Sequence, residues 1–334
     1  MKILIATGIY PPDIGGPAQY AANVERVWKS LGHSVNVKTF RYERLFPSGL
    51  RHVLYFLKCL PDALNSDFIF VLDTLSAALP AVLLGRIFRK RTVVRTGGDF
   101  LWESYVERTG DLVLFRDFYN TRTNRLSWKE RLIFRLTRRV LRYASAVVFS
   151  TEWQKDIWME PYGLKKVTAS VVENYYGRKE LSYTPTEKNF LAGTRPLKWK
   201  NAARLAEAFR RSREKGETIV FDESTRPFGA FMDTLAHAYG VILVSLGDIS
   251  PNLILDAIRH DKPFIVTRET GLHDRIEKCA LFVDPEDVDD ISAKILWLSN
   301  TTHYEEQKKK VGAFAFTHTW EEIADEILAV YKKI

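Results

Sequence analysis

Short apolar runs recur along the chain, and the intervals between them carry helical spacing. The first run, Ile3 to Ala6, precedes a Pro/Gly loop, a helical pattern over Ala18 to Leu31, and a second strand at Ser34 to Val37. Further strands are predicted at Phe68 to Val71, Thr92 to Arg95, Ala146 to Phe149 and Val167 to Val172. A second set is predicted at Asn189 to Gly193, Thr218 to Phe221, Val241 to Val244, Pro263 to Thr267 and Ala280 to Val283. Strands that alternate with helices predict parallel sheets covered on both faces, a doubly wound α/β architecture. The polar stretch Ser182 to Lys188 reads as a linker. Two domains are therefore expected, over 1–183 and 184–317, followed by a helix over 318–334. That helix places Trp320, Ile323, Ile327, Tyr331 and Ile334 on one face.

A length of 334 residues suits two domains of ordinary size. With 46% apolar and 27% charged residues, the chain has the mix of a folded protein rather than a disordered one. Cys59 and Cys279 stand far apart without a CxxC or Cys/His cluster, so neither a disulfide framework nor a structural zinc site is expected. The first apolar run is too short for a signal-peptide core. The longest, Leu75 to Gly85, falls well below the roughly 20 residues of a spanning helix. A cytoplasmic location is expected. The net charge of +8 is concentrated before residue 186, where 28 basic side chains meet 17 acidic ones. One domain only is expected to meet an anionic surface.

Ligands of such sheets bind beyond the carboxyl ends of the strands, so the loops there hold the candidate chemistry. After the first strand, Gly15 and Gly16 precede a helix, an arrangement that lets backbone amides approach an anion. A glycine turn needed only for geometry is the plain alternative. The GxGxxG spacing is absent and no acid ends the second strand, which disfavours a dinucleotide. In the second domain, Arg195 and Lys200 fall between a strand end and a helix start, where the helix dipole opposes a cation unless an anion is shared. They grip a diphosphate, or they are two solvated surface cations. Further on, Asp248 ends a strand and Asp256 lies within the next helix, which begins near Asn252 and Leu253. Asp256 is either exposed or turned toward sugar hydroxyls.

These features together resemble the retaining GT-B glycosyltransferases of family 4. Gly15-Gly16, Arg195 with Lys200, and the Asp248/Asp256 pair are similar to that family's glycine loop, basic pair and two spaced acids. Asn174 resembles the asparagine that closes the first domain, and Phe316 to Tyr331 the helix that crosses back to it. The resemblance implies two Rossmann-like domains facing a cleft, with a donor site on the second. It implies that Arg195 and Lys200 stabilise a departing diphosphate, Asp256 holds ribose, Asp248 holds sugar hydroxyls and Asp99 orients the sugar. Donor contacts are implied also at Gly15, Gly16, Asn252, Leu253, Thr270 and Gly271. Both acids are Asp where Glu is usual. Only one helix fits between Phe221 and Val241, so the second domain is shortened where relatives recognise the base. Trp102, in Gly97-Gly98-Asp99-Phe100-Leu101-Trp102-Glu103, belongs either to that site or to the core.

Between Arg122 and Arg142 stand eight basic residues and one acid, with Leu126, Ile133, Leu136 and Val140 near helical spacing. A basic amphipathic helix is predicted. A solvated face over a buried stripe, an anionic membrane surface met by Arg131, Arg135, Arg138 and Arg142, and nucleic acid all compete for it. Nucleic acid is set aside because no recognised module accompanies the charge. The reading is a retaining glycosyltransferase that uses no cofactor and no metal. It would carry sugar from a nucleotide-diphosphate sugar to a glycan or polyprenyl-linked acceptor, at the inner face of the membrane. A sugar-nucleotide epimerase of the same architecture and a catalytically idle partner protein are the rival readings.

Overall fold

The computed structural model describes residues 1–13, 15–192, 196–224 and 226–334. Two wholly parallel sheets result. The first contains β1 (Lys2–Thr7), β2 (Ser34–Thr39), β3 (Phe68–Leu72), β4 (Arg91–Arg95), β5 (Ala146–Phe149) and β6 (Ala169–Val171), in the order β2-β1-β3-β4-β5-β6. The second contains β7 (Asn189–Leu191), β8 (Val220–Asp222), β9 (Gly240–Leu243), β10 (Phe264–Thr267) and β11 (Leu281–Val283), in the order β11-β10-β9-β7-β8. The helices up to β6 are α1 (Gly16–Ser30), α2 (Ser48–Asn65), α3 (Ala78–Ile87), α4 (Phe100–Thr109), α5 (Phe115–Thr121), α6 (Trp128–Tyr143) and α7 (Glu152–Tyr162). After β7 come α8 (Ala202–Glu214), α9 (Phe228–His237), α10 (Asn252–Arg259), α11 (His273–Ile276), α12 (Val288–Ser299), α13 (Thr301–Gly312) and α14 (Trp320–Lys333).

The chain forms two compact units whose membership is interleaved. One comprises Met1–Leu101, Asn124–Tyr175 and His318–Ile334; the other comprises Trp102–Thr123 and Tyr176–Thr317. A contiguous first domain was expected from the sequence, but residues 102–123 pack with the second unit. In the first unit, Ile3 and Ile5 of β1 meet Trp28 of α1 and Ile323, Ala324 and Ile327 of α14. The Trp28 indole donates to the Ala324 carbonyl at 3.3 Å and stands edge-on to Phe68 and Phe70. A Thr319/Glu322 capping box starts α14, and its expected apolar face is the one that packs. In the second unit, Val241 and Leu243 pack on α10 while Ile242 and Ile265 pack on α12, so both faces of the sheet are covered.

Two local details differ from the sequence expectation. The basic run is not one helix, because α5 ends at Thr121 with Arg122 as its C-cap, a 3-10 turn spans Thr123–Arg125, and α6 begins after Ser127. Ser127 and Glu130 form a reciprocal capping box that fixes that start. Helix α1 begins at Gly16 rather than Ala18, with Pro17 in its first turn where the missing N–H costs nothing. Between β8 and β9 the described residues contain the single helix α9, as the shortened second domain requires.

Each sheet reverses its winding once, between β1 and β3 in the first unit and between β7 and β9 in the second. At such a point two successive loops leave in opposite directions and open a crevice for ligands. The loops after β7 and β9 carry Lys200 and Asp248.

Because Ile327 is fully buried between α1 and the first sheet, Ile327→Ala should lower the stability of the first unit by about 2–5 kcal/mol. Exposed Glu321→Ala should leave it within about 0.5 kcal/mol. Denaturant unfolding of both variants checks the contrast, and an unchanged midpoint for Ile327→Ala would contradict the packing.

Candidate functional site

The second-unit crevice is assembled by backbone bonds between loops. After β7 the chain makes a 3-10 turn at Lys198–Lys200, closed by Asn201 in the left-handed region at φ 63°. Asn201 is buried, and its side-chain amide donates to the carbonyls of Val244 at 3.1 Å and Pro285 at 2.6 Å. The Leu246 amide donates to the Trp199 carbonyl at 2.9 Å, which joins this turn to the loop after β9. That loop joins the next one in turn. The Asp248 amide donates to the Glu269 carbonyl at 2.8 Å, and the Gly271 amide donates to the Asp248 carbonyl at 3.2 Å. Asp248 and Thr270 thus form an isolated parallel bridge.

Lys200, Asp248, Thr270 and Gly271, separate in sequence, are therefore brought together. The Lys200 ammonium is 2.6 Å from Asp248 Oδ2 and 4.1 Å from the centre of the Trp199 ring. The cation expected either to grip a diphosphate or to face solvent is paired here with the acid expected to hold a sugar. Both side chains remain slightly accessible, at 14% and 13%. Four residues after Asp248, α10 starts behind Pro251 without any side-chain cap. The amides of Asn252 and Leu253 have no hydrogen-bond partner among the described residues. Asp256 lies one turn further and accepts from Arg259 at 2.9 Å, while Arg259 also pairs with Glu180. Burial pushes the Asp256 carboxyl above the usual range, with Arg259 opposing. Arg195 lies outside the described residues.

Sequence reasoning missed the layer that backs this crevice. Residues 102–123 supply it. Phe115 donates its amide to the Leu246 carbonyl at 3.1 Å, and its side chain lies where a Cβ on Gly247 would come within 2.4 Å. Arg116 forms a two-pronged ion pair with buried Glu269, its Nε 2.6 Å from Oε2. Burial raises the Glu269 carboxyl even so. Glu107 accepts from the Lys198 amide at 2.7 Å. Trp102 resolves as core: it is buried against Trp199 and Phe115, and its indole donates to the Val113 carbonyl at 3.0 Å. The only sequence signal for these contacts was the aromatic and charged density of the segment.

The first unit holds the remaining candidates. Gly15 precedes α1 at φ 153°, a conformation that a side chain would strain, and Gly16 opens the helix. No acid occupies the first turn of α1. Arg95, at the end of β4, is buried over the Tyr20 ring, 3.7 Å from its centre, and donates to Ser150 and Asn174. Asn174 is thereby fixed, with His318 bonded to its carbonyl. Asp99 is buried and accepts from the Trp158 indole at 2.8 Å. With Asp73, Ser76 and Thr137 it lines a pocket of about 200 Å³. Asp73 accepts from the amides of Leu75, Ala77 and Ala78, and burial raises its carboxyl against those bonds. Arg131, Arg135, Arg138 and Arg142 are all exposed on α6, with Arg138 turned toward Gly163. Among the described residues, no three His, Cys, Asp or Glu side chains gather as metal ligands, and no helix is long and apolar enough to cross a membrane.

Solved structures match the fold over the whole length of the chain. HepE of Anabaena, solved with UDP, superposes with a TM-score of 0.68 at 13% identity over 100% of both chains. The lipopolysaccharide outer core galactosyltransferase WaaB gives 0.67 at 14%, again over 100% of both. Sucrose-phosphate synthase from Thermosynechococcus elongatus gives 0.66 at 14%, covering 99% of this chain and 98% of that one. The fold is that of GT-B glycosyltransferases. No model of a protein family matches the chain, and no curated protein matches it in sequence.

Gly247→Ala should disturb the crevice, because the new methyl meets the Phe115 Cβ rather than a flexible end. The expected result is a second unit destabilised by about 1–3 kcal/mol. Thermal unfolding checks it, and an unchanged transition would show that the 102–123 segment packs elsewhere.

Proposed function

We propose that the protein is a retaining glycosyltransferase which moves a sugar from a nucleotide-diphosphate sugar to a glycan or polyprenyl-linked acceptor. The observation that carries this reading is the Lys200–Asp248 pair at the switch point of the second sheet, beside the uncapped start of α10. A cation, free amides and a carboxylate at one crevice match the parts of such a donor: diphosphate beside Lys200 and the amides, sugar hydroxyls beside Asp248. HepE has been solved with UDP-glucose, which supports a donor of that class here.

In the proposed mechanism, Lys200 and Arg195 stabilise charge that develops on the departing diphosphate, with amides at Asn252 and Leu253 adding to the effect. Binding would draw Lys200 from Asp248 toward the anion and free the carboxylate for hydroxyl groups. Asp256 holds ribose, Thr270 and Gly271 line the donor, and Asp99 orients the sugar. The Gly15-Gly16 helix start offers further amides. No enzymic base is assigned; the acceptor hydroxyl attacks from the face that the diphosphate leaves, and the departing phosphate takes its proton, a course that keeps the anomeric configuration. The diphosphate charge is met by cations and amides, so a metal is not needed. The one Asp-Asp pair of the sequence, Asp289 and Asp290, is engaged structurally: Asp289 accepts from Arg211 at 2.6 Å and Asp290 accepts from the Asp284 amide at 2.8 Å.

The acceptor is assigned to the first unit, where the pocket beside Asp99 lies. The enzyme would work at the inner face of the membrane, held by Arg131, Arg135, Arg138 and Arg142. At about 1 kcal/mol each, four cations give about 4 kcal/mol, or roughly millimolar binding. This is reversible association.

Lys200→Ala and Arg195→Ala should each lower turnover at least about tenfold in folded protein, since each removes a charge-assisted contact of about 1.5–3 kcal/mol. Wild-type turnover in either would refute the diphosphate assignment. The product should keep the donor's anomeric configuration, read by proton NMR, and activity should persist in chelator. An inverted product would overturn retention, and activity lost in chelator and restored by magnesium or manganese would overturn metal independence.

A further inference from the structure

Helix α2 is turned the wrong way for a helix that meets only water. Its inward face buries Tyr55, Cys59 and Ala63. Its outward face presents Leu50, Val53, Leu57 and Leu64, between 46% and 55% exposed, with exposed Pro61 completing a stripe of 3–4 residue spacing. Just before the helix, Tyr42, Leu45 and Phe46 are exposed at 68%, 83% and 45%. Such a contiguous apolar patch on a folded surface marks an interaction site.

The surroundings identify the partner. Helix α2 packs on α3, and α3 packs on α6. Arg86 of α3 lies 4.2 Å over the Tyr143 ring of α6, so the outward faces of those two helices adjoin. They expose Leu83, Ile87, Trp128 and Leu132 among their cations. Over residues 41–65, 78–91 and 128–143 there are fourteen Lys and Arg and three acids. All three acids are engaged within the fold: Glu43 with Lys58, Asp62 with Lys38, and Glu130 in the capping box. A second copy of this chain would bring cations against cations. An anionic bilayer offers apolar depth for the stripe and negative headgroups for its rim.

We infer that the outward face of α2, with the preceding Tyr42–Phe46 turn, inserts into the acyl region of an anionic membrane while the arginines of α6 rest on the headgroups. This deepens the peripheral-membrane reading given above and rests on it for orientation. It adds a hydrophobic contact to an electrostatic one, and stable surface attachment generally needs two such signals.

The test uses the whole chain and vesicles of phosphatidylcholine with or without phosphatidylglycerol. Leu57→Cys can be labelled with an environment-sensitive fluorophore, since Cys59 and Cys279 are buried. On anionic vesicles its emission should shift to the blue and be quenched by nitroxides on the acyl chains, whereas a label at exposed Lys215→Cys should not respond. The unlabelled variant Leu50→Ser/Val53→Ser/Leu57→Ser should melt like the wild type yet partition at least about tenfold more weakly, its residual binding abolished by salt. Replacing Arg131, Arg135, Arg138 and Arg142 with Gln should remove the preference for anionic over neutral vesicles. A water-like label on vesicle-bound protein would overturn insertion and leave the electrostatic reading intact. No preference of the wild type for anionic vesicles would overturn both. A dimer that the serine variant abolishes would overturn insertion and give the stripe to a second copy.

Discussion

In a wholly parallel sheet each strand hands the chain to a crossover on one face or the other, and both faces end up covered by apolar helices. Polar chemistry is thereby expelled to the strand ends. It can concentrate only where successive crossovers part company, since elsewhere the helices close over the loops. The order β11-β10-β9-β7-β8 has one such place, and the Lys200–Asp248 bridge stands in it. The surrounding arrangement follows from holding that bridge still. Asn201 locks the turn on one side, and the ladder from Asp248 to Gly271 locks the other.

The support continues outward through aromatic and charged contacts. Trp102 presses on Trp199, which carries Lys200 on its ring face, while Arg116 clasps Glu269 one residue from the Asp248–Thr270 bridge. A segment that follows β4 of the first sheet is thus built into the second unit, where it backs the crevice. A carboxylate as buried as Glu269 is costly to leave uncompensated, so removal of Arg116 would act on the loop rather than on a surface ion pair.

Fold and site were unequally legible in the sequence. The strands were visible because a strand buried on both faces is apolar at every position, as in Phe68 to Val71 and Val241 to Val244. The face of α14 was visible because Ile323 and Ile327 repeat at helical spacing. Lys200 and Asp248 could be placed at strand ends, but their mutual neutralisation could not, since 48 residues and three loops separate them. The membership of residues 102–123 was hidden for a related reason: contacts such as Arg116 with Glu269 leave no local periodicity. The outward face of α2 was hidden too. Periodicity shows that a helix has an apolar side but not which way that side points, and α2 is apolar on both.

The interleaving of the two units also bears on synthesis. The core of the first unit needs Ile323, Ala324 and Ile327, which leave the ribosome more than 150 residues after β6. Throughout that interval the nascent chain carries Trp28 and Phe68 without the helix that covers them. The second unit has the opposite history, because its early segment, residues 102–123, is made before any strand of its sheet and must wait for β7 to appear. Neither unit is therefore a contiguous piece that can mature behind the other, and a cut anywhere near Tyr175 would yield two fragments, each missing part of its own interior.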